Sequence, residues 1–385
     1  MRTIDQQIFN ILQAEKKRQK TTIELIASEN FTSEAVMSLA GSCFTNKYAE
    51  GYPGKRYYNG CIHMDEIESL AIQQLKSLYG CEFANVQPHS GANANTAVFQ
   101  ALLSPNDTIL GMDLASGGHL SHGASVNISG KLYNAHHYGV NKHGYLDYDA
   151  IAEQAKRIKP NLIVAGASAY PRIIDWECFR NIADSVGAFL VVDMAHYSGL
   201  IAGGNYPSPV PFADVVTSTT HKTLRGPRGG IILWNNPNYT HKINSAIFPG
   251  TQGGPLMNII AAKAQAFIEA REDSFSQYTH QVILNAQSMS NTFVERGFHI
   301  LTGGTDSHII LMDLSESPFS GREAADLLEK NGITVNKNGI PNDSRSFSET
   351  SGIRIGTAAE TTRGHNEKWF SELADKISDI LEYKH

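Results

Sequence analysis

Short apolar runs recur along the chain at Thr108–Met112, Leu162–Ala165, Phe189–Val192, Asp214–Ser218 and Gly230–Trp234, each ending in a polar or glycine-rich turn. Runs this short and rich in Val and Ile read as buried strands. Between them, Tyr148–Ile158 and Trp176–Val186 carry the apolar spacing of amphipathic helices. Strands alternating with helices predict an α/β fold with a mostly parallel sheet covered on both faces. After Pro255 the pattern changes. Residues 256–297 read as long helices, Ser307–Leu314 as a strand, Arg322–Lys330 as a helix closed by Asn331-Gly332, Ile353–Gly356 as a strand, and the last twenty residues as a helix. The expected organisation is an N-terminal helix or arm over 1–20, where Ile4, Ile8, Ile11 and Leu12 recur at helical spacing, a large α/β domain over 21–255, and a smaller C-terminal α+β domain over 256–385.

Composition narrows the function classes. The 385 residues are 41% apolar and 18% charged, ordinary for a globular chain. Lys and Arg number 32 against 38 Asp and Glu, a net charge of −6, which argues against broad electrostatic binding of nucleic acid. No apolar run approaches the ~18 residues of a membrane span. The first twenty residues lack an apolar signal core and a small-residue cleavage site. A cytoplasmic protein that binds neither nucleic acid nor membrane is expected. Cys43, Cys61, Cys81 and Cys178 lie far apart with no CxxC spacing, so they read as reduced thiols and no metal site is expected.

The densest chemistry lies between Phe189 and Gly230. The strand FLVVD ends at Asp193, where a carboxylate faces the crevice in which α/β proteins bind ligands. Lys222 follows the next strand, 29 residues later, and can face the same crevice. A strand-end Asp with a lysine after the neighbouring strand is the arrangement pyridoxal phosphate requires: the lysine forms a Schiff base and the carboxylate keeps the ring nitrogen protonated. A buried Asp–Lys ion pair would give the same local pattern. The loop Gln87–Asn95, opening into a helical run at Thr96–Leu103, offers backbone N–H groups for a phosphate, although a plain helix cap reads the same way. Gly250–Gly254 is a second glycine-rich loop. Tyr48–Tyr58 packs four tyrosines, Glu50, Lys55 and Arg56 into one stretch, too polar for a core and too aromatic for a plain linker, and reads as a site or interface loop. Arg354, on a short strand, is a candidate fork for a carboxylate.

Together these segments resemble serine hydroxymethyltransferase, a fold-type I pyridoxal phosphate family. The likeness runs through Glu24–Asn30, Thr45–Tyr58, Asn85–Gly91, Gly117–Gly123, Val192–His196, Thr217–Gly230, Phe248–Leu256, Thr334–Asp343 and Ser351–Thr357, in the family's order. The stretches HKTLRGPRGG and YAEGYPGKRYY are its most specific motifs. The resemblance implies a seven-stranded type of central sheet and conversion of serine to glycine with transfer of the hydroxymethyl group to tetrahydrofolate. It implies that Lys222 carries pyridoxal phosphate, with Asp193 at the ring nitrogen, His119 stacked on the ring, Ser168 and His196 on its phenolic side, and His221 beside the lysine. Ser90 and Gly91 would hold the phosphate, aided by Tyr48 and by Gly253 and Gly254 of a partner subunit. Arg354 and Ser28 would bind the amino-acid carboxylate. Glu50 would move protons at the substrate hydroxyl, with Tyr58 lining the site. Leu114, Gly118, Leu120 and Asn338 match folate positions. A homodimer with shared sites is implied, and whether dimers pair into tetramers is left open.

The sequence departs from the family pattern at a few points. Ala92 stands where a serine hydroxyl often helps bind phosphate, which predicts weaker cofactor retention. Ser346-Phe347-Ser348 replaces a usual Ser-Pro-Phe, and Glu360 stands in a typically apolar position. Two other readings compete: a folate-independent aldolase or transaldolase acting on β-hydroxy amino acids, and an RNA-binding protein suggested by the RGG-like tract at Arg225–Gly230. The acid charge balance weighs against the second.

Overall fold

The computed structural model describes residues 4–382. Seven strands form the central sheet: β1 (Phe83–Asn85), β2 (Thr108–Met112), β3 (Asn134–Tyr138), β4 (Leu162–Ala165), β5 (Phe189–Asp193), β6 (Val215–Thr219) and β7 (Gly230–Trp234). Their order is β1-β7-β6-β5-β4-β2-β3. Only β7 runs against its neighbours; the remaining pairings are parallel. The predicted α/β sheet is therefore present, and β4, β6 and β7 are buried at every position, as the unbroken Val/Ile runs require. Edge strand β3, NAHHY, alternates polar and partly exposed residues, so it lacks the apolar run that marks the interior strands.

Helices cover the sheet. The predicted spans Tyr148–Ile158 and Trp176–Val186 are helical over those residues, each capped by an Asp whose side chain accepts a backbone N–H in the first turn. The helix after β1 starts earlier than its apolar pattern suggests. It spans Gly91–Leu102, with Ser90 as the cap, because the Ser90 hydroxyl accepts the Asn93 N–H at 3.1 Å. The stretch read as a loop through Asn95 is thus the first turn of a helix. The N-terminal helix, Gln6–Thr21, buries none of its residues, and Ile8, Ile11 and Leu12 stand exposed.

A second, antiparallel sheet follows. Its strands are β8 (His299–Ile300), β9 (Ile309–Asp313), β10 (Asn336–Asn338) and β11 (Gly352–Gly356), in the order β8-β9-β11-β10. Two long helices precede it, Met257–Glu269 and Asp273–Glu295. The first packs its apolar face into the core of the large sheet, through Met257, Ile260 and Phe267. Within the second helix the allegiance changes: Phe275 and Val282 join that core, whereas Ala286, Met289 and Phe293 join the core of the small sheet with Ile310, Ile355 and Phe370.

The chain near residue 25 forms a separate two-stranded parallel sheet that packs on the small core. Ile23–Glu24 pairs in parallel with Ile333–Thr334, and Leu25 is buried in the small core. The Gly356 N–H donates to the Leu25 carbonyl at 2.8 Å. This contact is close: a Cβ on Gly356 would lie 2.3 Å from Ala27 Cα. Residues 28 and 29 are held beside β11 as a result. Gly356→Ala should therefore displace the segment leading to Ser28 and destabilise the fold by about 1–3 kcal/mol, as overpacking does. Urea unfolding of the variant beside the parent chain checks this.

Candidate active site

A cavity of about 610 Å³ opens at the carboxyl ends of the parallel strands. Its wall includes the loops after β2 (Leu114 to Leu120) and β4 (Ala167 to Ala169), the adjacent strands at which the strand order reverses. Ligands of open α/β sheets bind at such a reversal.

Asp193 closes β5 and is almost fully buried. Its Oδ2 accepts the Asn95 amide at 2.8 Å and faces His122 Nε2 at 3.1 Å, while Oδ1 accepts the Ala195 N–H at 3.0 Å. The Thr217 hydroxyl donates to Asn95 Oδ1 at 2.6 Å and so fixes which end of that amide meets the carboxylate. Burial pushes the carboxyl up, but the His122 hydrogen bond and charge, with His119 and Asn95, more than reverse this and hold it well below the usual carboxylate range. A permanent anion therefore sits at the floor of the cavity.

Lys222 lies three residues past β6 and is buried. Its backbone carbonyl accepts the Asn30 amide at 3.0 Å and the Arg225 N–H at 3.0 Å, with Arg225 at a positive φ of 57°. Tyr278 sits under the Arg225 guanidinium at 4.2 Å and donates its hydroxyl to the Thr223 carbonyl at 3.2 Å. This turn aims position 222 at the cavity. Burial brings the amine down; Asp193 pulls it back up, and the Arg354 and Arg228 charges lower it again, leaving it at about 8. An amine in that range is a usable nucleophile near neutral pH. Among the described residues no ion pair within 4.0 Å joins Lys222 to Asp193, though both line the cavity.

Burial keeps four imidazoles near them, His119, His196, His308 and His221, neutral. His119 Nδ1 accepts the Ser121 N–H at 3.1 Å; burial, then the His122 charge, bring its pKa to about 4. A neutral, flat ring is suited to stacking. His196 faces buried His308, with Nδ1 and Nε2 3.4 Å apart and ring planes 16° from parallel. Burial pushes His196 far down and takes His308 to about 3. His221 falls to about 3 through burial and the Arg228 charge.

Arg354 on β11 donates Nη1 to the Ser168 carbonyl at 2.6 Å and Nη2 to Asn336 Oδ1 at 2.8 Å. Burial lowers it to about 10, so it remains a cation at neutral pH. Ser28, Ser90, Gly91, Leu114, Gly118, Leu120 and Asn338 line the same cavity. A Cβ at position 91 would lie 2.7 Å from Thr219 Cγ2, so any larger residue there would have to displace that buried side chain.

Five predicted residues gather elsewhere. Tyr48 and Tyr58 meet edge to face at 5.1 Å. Glu50 Oε1 lies 3.3 Å from where a Gly253 Cβ would stand, and the Tyr48 ring lies 3.1 Å from the corresponding point on Gly254. The Glu50 carboxylate beside Tyr58 raises its phenol above the usual value. These residues form one surface cluster, and none lines the cavity of its own chain.

Sequence reasoning assigned no role to Asn95, His122 or His308. Asn95 was legible only as part of a polar helix start and His122 as the second imidazole of GGHLSH. Nothing local ties either to a carboxylate 98 or 71 residues away. Phe347, in the loop that departs from the family pattern, also lines the cavity mouth.

The residues present fit pyridoxal phosphate. Three polar atoms of cavity-lining residues, Arg354 Nε, Thr219 Oγ1 and His221 Nδ1, are buried without a protein partner. A helix N-terminus at Ser90-Gly91, a fixed anion and a depressed amine share that cavity. Fold and site thus define a pyridoxal phosphate-dependent enzyme of fold type I. A family model described as serine hydroxymethyltransferase matches residues 1–377, and the chain belongs to that family. It is 56% identical over 381 residues to a serine hydroxymethyltransferase of a Nitratiruptor species, covering 99% of this chain and 92% of that one. It is 58% identical over 378 residues to serine hydroxymethyltransferase 2 of Pseudomonas putida, covering 98% and 91%. The family interconverts serine and glycine with pyridoxal phosphate and tetrahydrofolate, and the chain's activity is that of its family. The folate-independent alternative is not favoured.

Two outcomes follow from this geometry. The full-length chain freed of cofactor should capture pyridoxal phosphate faster as pH rises, half-maximally near the Lys222 value of about 8, because only the unprotonated amine attacks; stopped-flow absorbance measures this. Ala92→Ser, which restores a hydroxyl in the cavity wall, should tighten cofactor binding about tenfold, within the range of a charge-assisted hydrogen bond, as equilibrium dialysis would register.

Proposed function

We propose that the serine–glycine interconversion runs in the cavity between Asp193, Lys222 and Arg354, with the cluster at Glu50 supplied by a second copy of the chain. The supporting observation is the convergence of those three side chains, from β5, the turn after β6 and β11, on one cavity. When bound, pyridoxal phosphate supplies a cationic ring that accepts the electron pair released as the serine Cα–Cβ bond breaks.

Each side chain has a defined task. Lys222 would hold the coenzyme through its amine. Asp193, held anionic, would keep a proton on the ring nitrogen. Neutral His119 would stack on the ring, and Ser168 and His196 would contact its phenolic oxygen. Ser90 and Gly91 would bind the phosphate at the helix start. Arg354 and Ser28 bind the serine carboxylate; the unpartnered Arg354 Nε beside an occupied Nη1 supports that role. Leu114, Gly118, Leu120 and Asn338 form the wall for tetrahydrofolate. His221 stays beside Lys222.

Glu50 handles the proton of the substrate hydroxyl, with Tyr58 next to it. In its own chain Glu50 lies outside the cavity, as do Tyr48, Gly253 and Gly254. The five residues lie against one another, so a partner that delivers the two glycines delivers Tyr48, Glu50 and Tyr58 as well. Exposed Tyr48, Tyr57 and Tyr58, and an N-terminal helix with no buried residue, support a homodimer. Within each copy the proposed division is an arm over 1–20, a coenzyme-binding unit over 21–255, and a unit over 256–385 whose first helix straps it to the larger core. Among the described residues no helix is long and apolar enough to cross a membrane, which with the bacterial relatives supports a cytoplasmic enzyme.

Two variants test this reading. Glu50→Gln should bind pyridoxal phosphate normally while serine turnover falls about 10²–10⁴-fold, the usual worth of a general acid–base. Mixing inactive Glu50→Gln chains with inactive Lys222→Ala chains should then restore roughly a quarter of wild-type activity, since half of random dimers carry one complete site. No recovery after verified subunit exchange would place Glu50 in its own chain's site.

A further inference from the structure

Lys263 is buried in the interior, on the helix Met257–Glu269, and takes no part in the chemistry above. Among the described residues it has no carboxylate partner within ion-pair distance. Its ammonium donates to three backbone carbonyls, Val86 at 2.6 Å, Pro88 at 3.1 Å and Gly230 at 2.8 Å. Three acceptors match the three N–H donors of an ammonium; a neutral amine has two donors and would turn its lone pair toward a carbonyl. Burial lowers this amine to about 7, against a smaller upward pull from Glu68; the three carbonyl acceptors also favour the charged form.

The three carbonyls belong to two segments that meet at the phosphate-binding helix start. Val86 and Pro88 lie on the path from β1 to Ser90, and Gly230 opens β7. Pro88 also accepts the Gly230 N–H at 3.0 Å. The approach is tight, for a Cβ on Gly230 would lie 2.3 Å from the Ser90 carbonyl oxygen. Gln252 adds a second tie, accepting the His89 N–H at 2.9 Å and donating to the Gln87 carbonyl at 3.0 Å.

We propose that Lys263 is a positioning residue for coenzyme phosphate: it clamps residues 86–88 to Gly230, sets the angle of the helix N-terminus at Ser90-Gly91, and places a buried positive charge behind it. This rests on the reading that Ser90 and Gly91 hold the phosphate. A merely structural lysine would weaken every ligand alike. A phosphate-positioning lysine weakens pyridoxal phosphate and spares pyridoxal, which has the same ring and aldehyde and no phosphate.

The test compares binding of pyridoxal phosphate and pyridoxal to the full-length, cofactor-depleted chain by absorbance titration. In the folded Lys263→Met variant, pyridoxal phosphate affinity should drop about ten- to a hundredfold while pyridoxal affinity stays within about twofold. Should that variant fail to fold, Gly229→Ala decides: its Cβ would stand 2.5 Å from Lys263 Cε and 2.9 Å from Nζ, pushing the ammonium off its carbonyls with the charge retained, and should show the same selective loss. Equal weakening of both ligands, or no change in either, overturns the proposal. A wild-type chain that binds pyridoxal as tightly as pyridoxal phosphate would instead refute the phosphate site at Ser90-Gly91 itself.

Discussion

The site depends on keeping Asp193 ionised inside the protein. An uncompensated buried carboxylate takes up a proton, and a neutral acid could not hold a proton on a coenzyme ring. The sequence meets this with three contacts from three places, His122, the Asn95 amide and the Ala195 N–H, and with Thr217 to orient the amide. The same burial that threatens the carboxylate makes the chemistry possible on the other side of the cavity, where it lowers the Lys222 amine into a reactive range. Anion and amine share the cavity without pairing, which leaves room between them for a planar ring.

The architecture exists to hold these groups at fixed separation. Parallel strands deliver Asp193 and Lys222 to the carboxyl end of the sheet, and the small sheet delivers Arg354 to the same cavity. The chain near residue 25 pairs with Ile333–Thr334 rather than with the large sheet, so Ser28 arrives beside Arg354 as part of the same unit. Glycines appear where two segments must touch. A Cβ on Gly230 would meet the Ser90 carbonyl, one on Gly356 the Ala27 backbone, and one on Gly91 the Thr219 methyl. The loop that carries Tyr48, Glu50 and Tyr58 is built differently, at the surface. Arg56 grips the carbonyls of Ala49 and Gly51 on either side of Glu50, at 2.8 and 3.0 Å, and anchors to Asp65 and Glu68. That loop is braced by these contacts and separate from its own chain's cavity.

Legibility in the sequence followed the physics of each element. Interior strands such as LIVA and FLVVD are continuous apolar runs because both faces are buried, so the sheet and the strand-end Asp193 could be read directly. The edge strand NAHHY could not, since one side of it meets solvent. Helix boundaries at amphipathic, Asp-capped segments were right to the residue, whereas Gly91–Asn95 looked like a loop because small and polar residues fill a turn that packs against Thr219 and Asp193. The supports of the site, Asn95, His122, His308 and Lys263, are invisible locally: each acts on a partner brought near only by folding. The family likeness reached further than spacing alone because it spans nearly the whole chain, but it assigned a role to Glu50 without saying which copy's cavity it serves.

The protonation state of the coenzyme ring tests the account most directly. With ¹⁵N-labelled pyridoxal phosphate bound to the full-length chain, the ring-nitrogen shift should sit in the pyridinium range and stay there across neutral pH, and Asp193→Asn should move it to that of a neutral pyridine. A neutral ring nitrogen in the unmodified protein, or a pyridinium that survives Asp193→Asn unchanged, would contradict it.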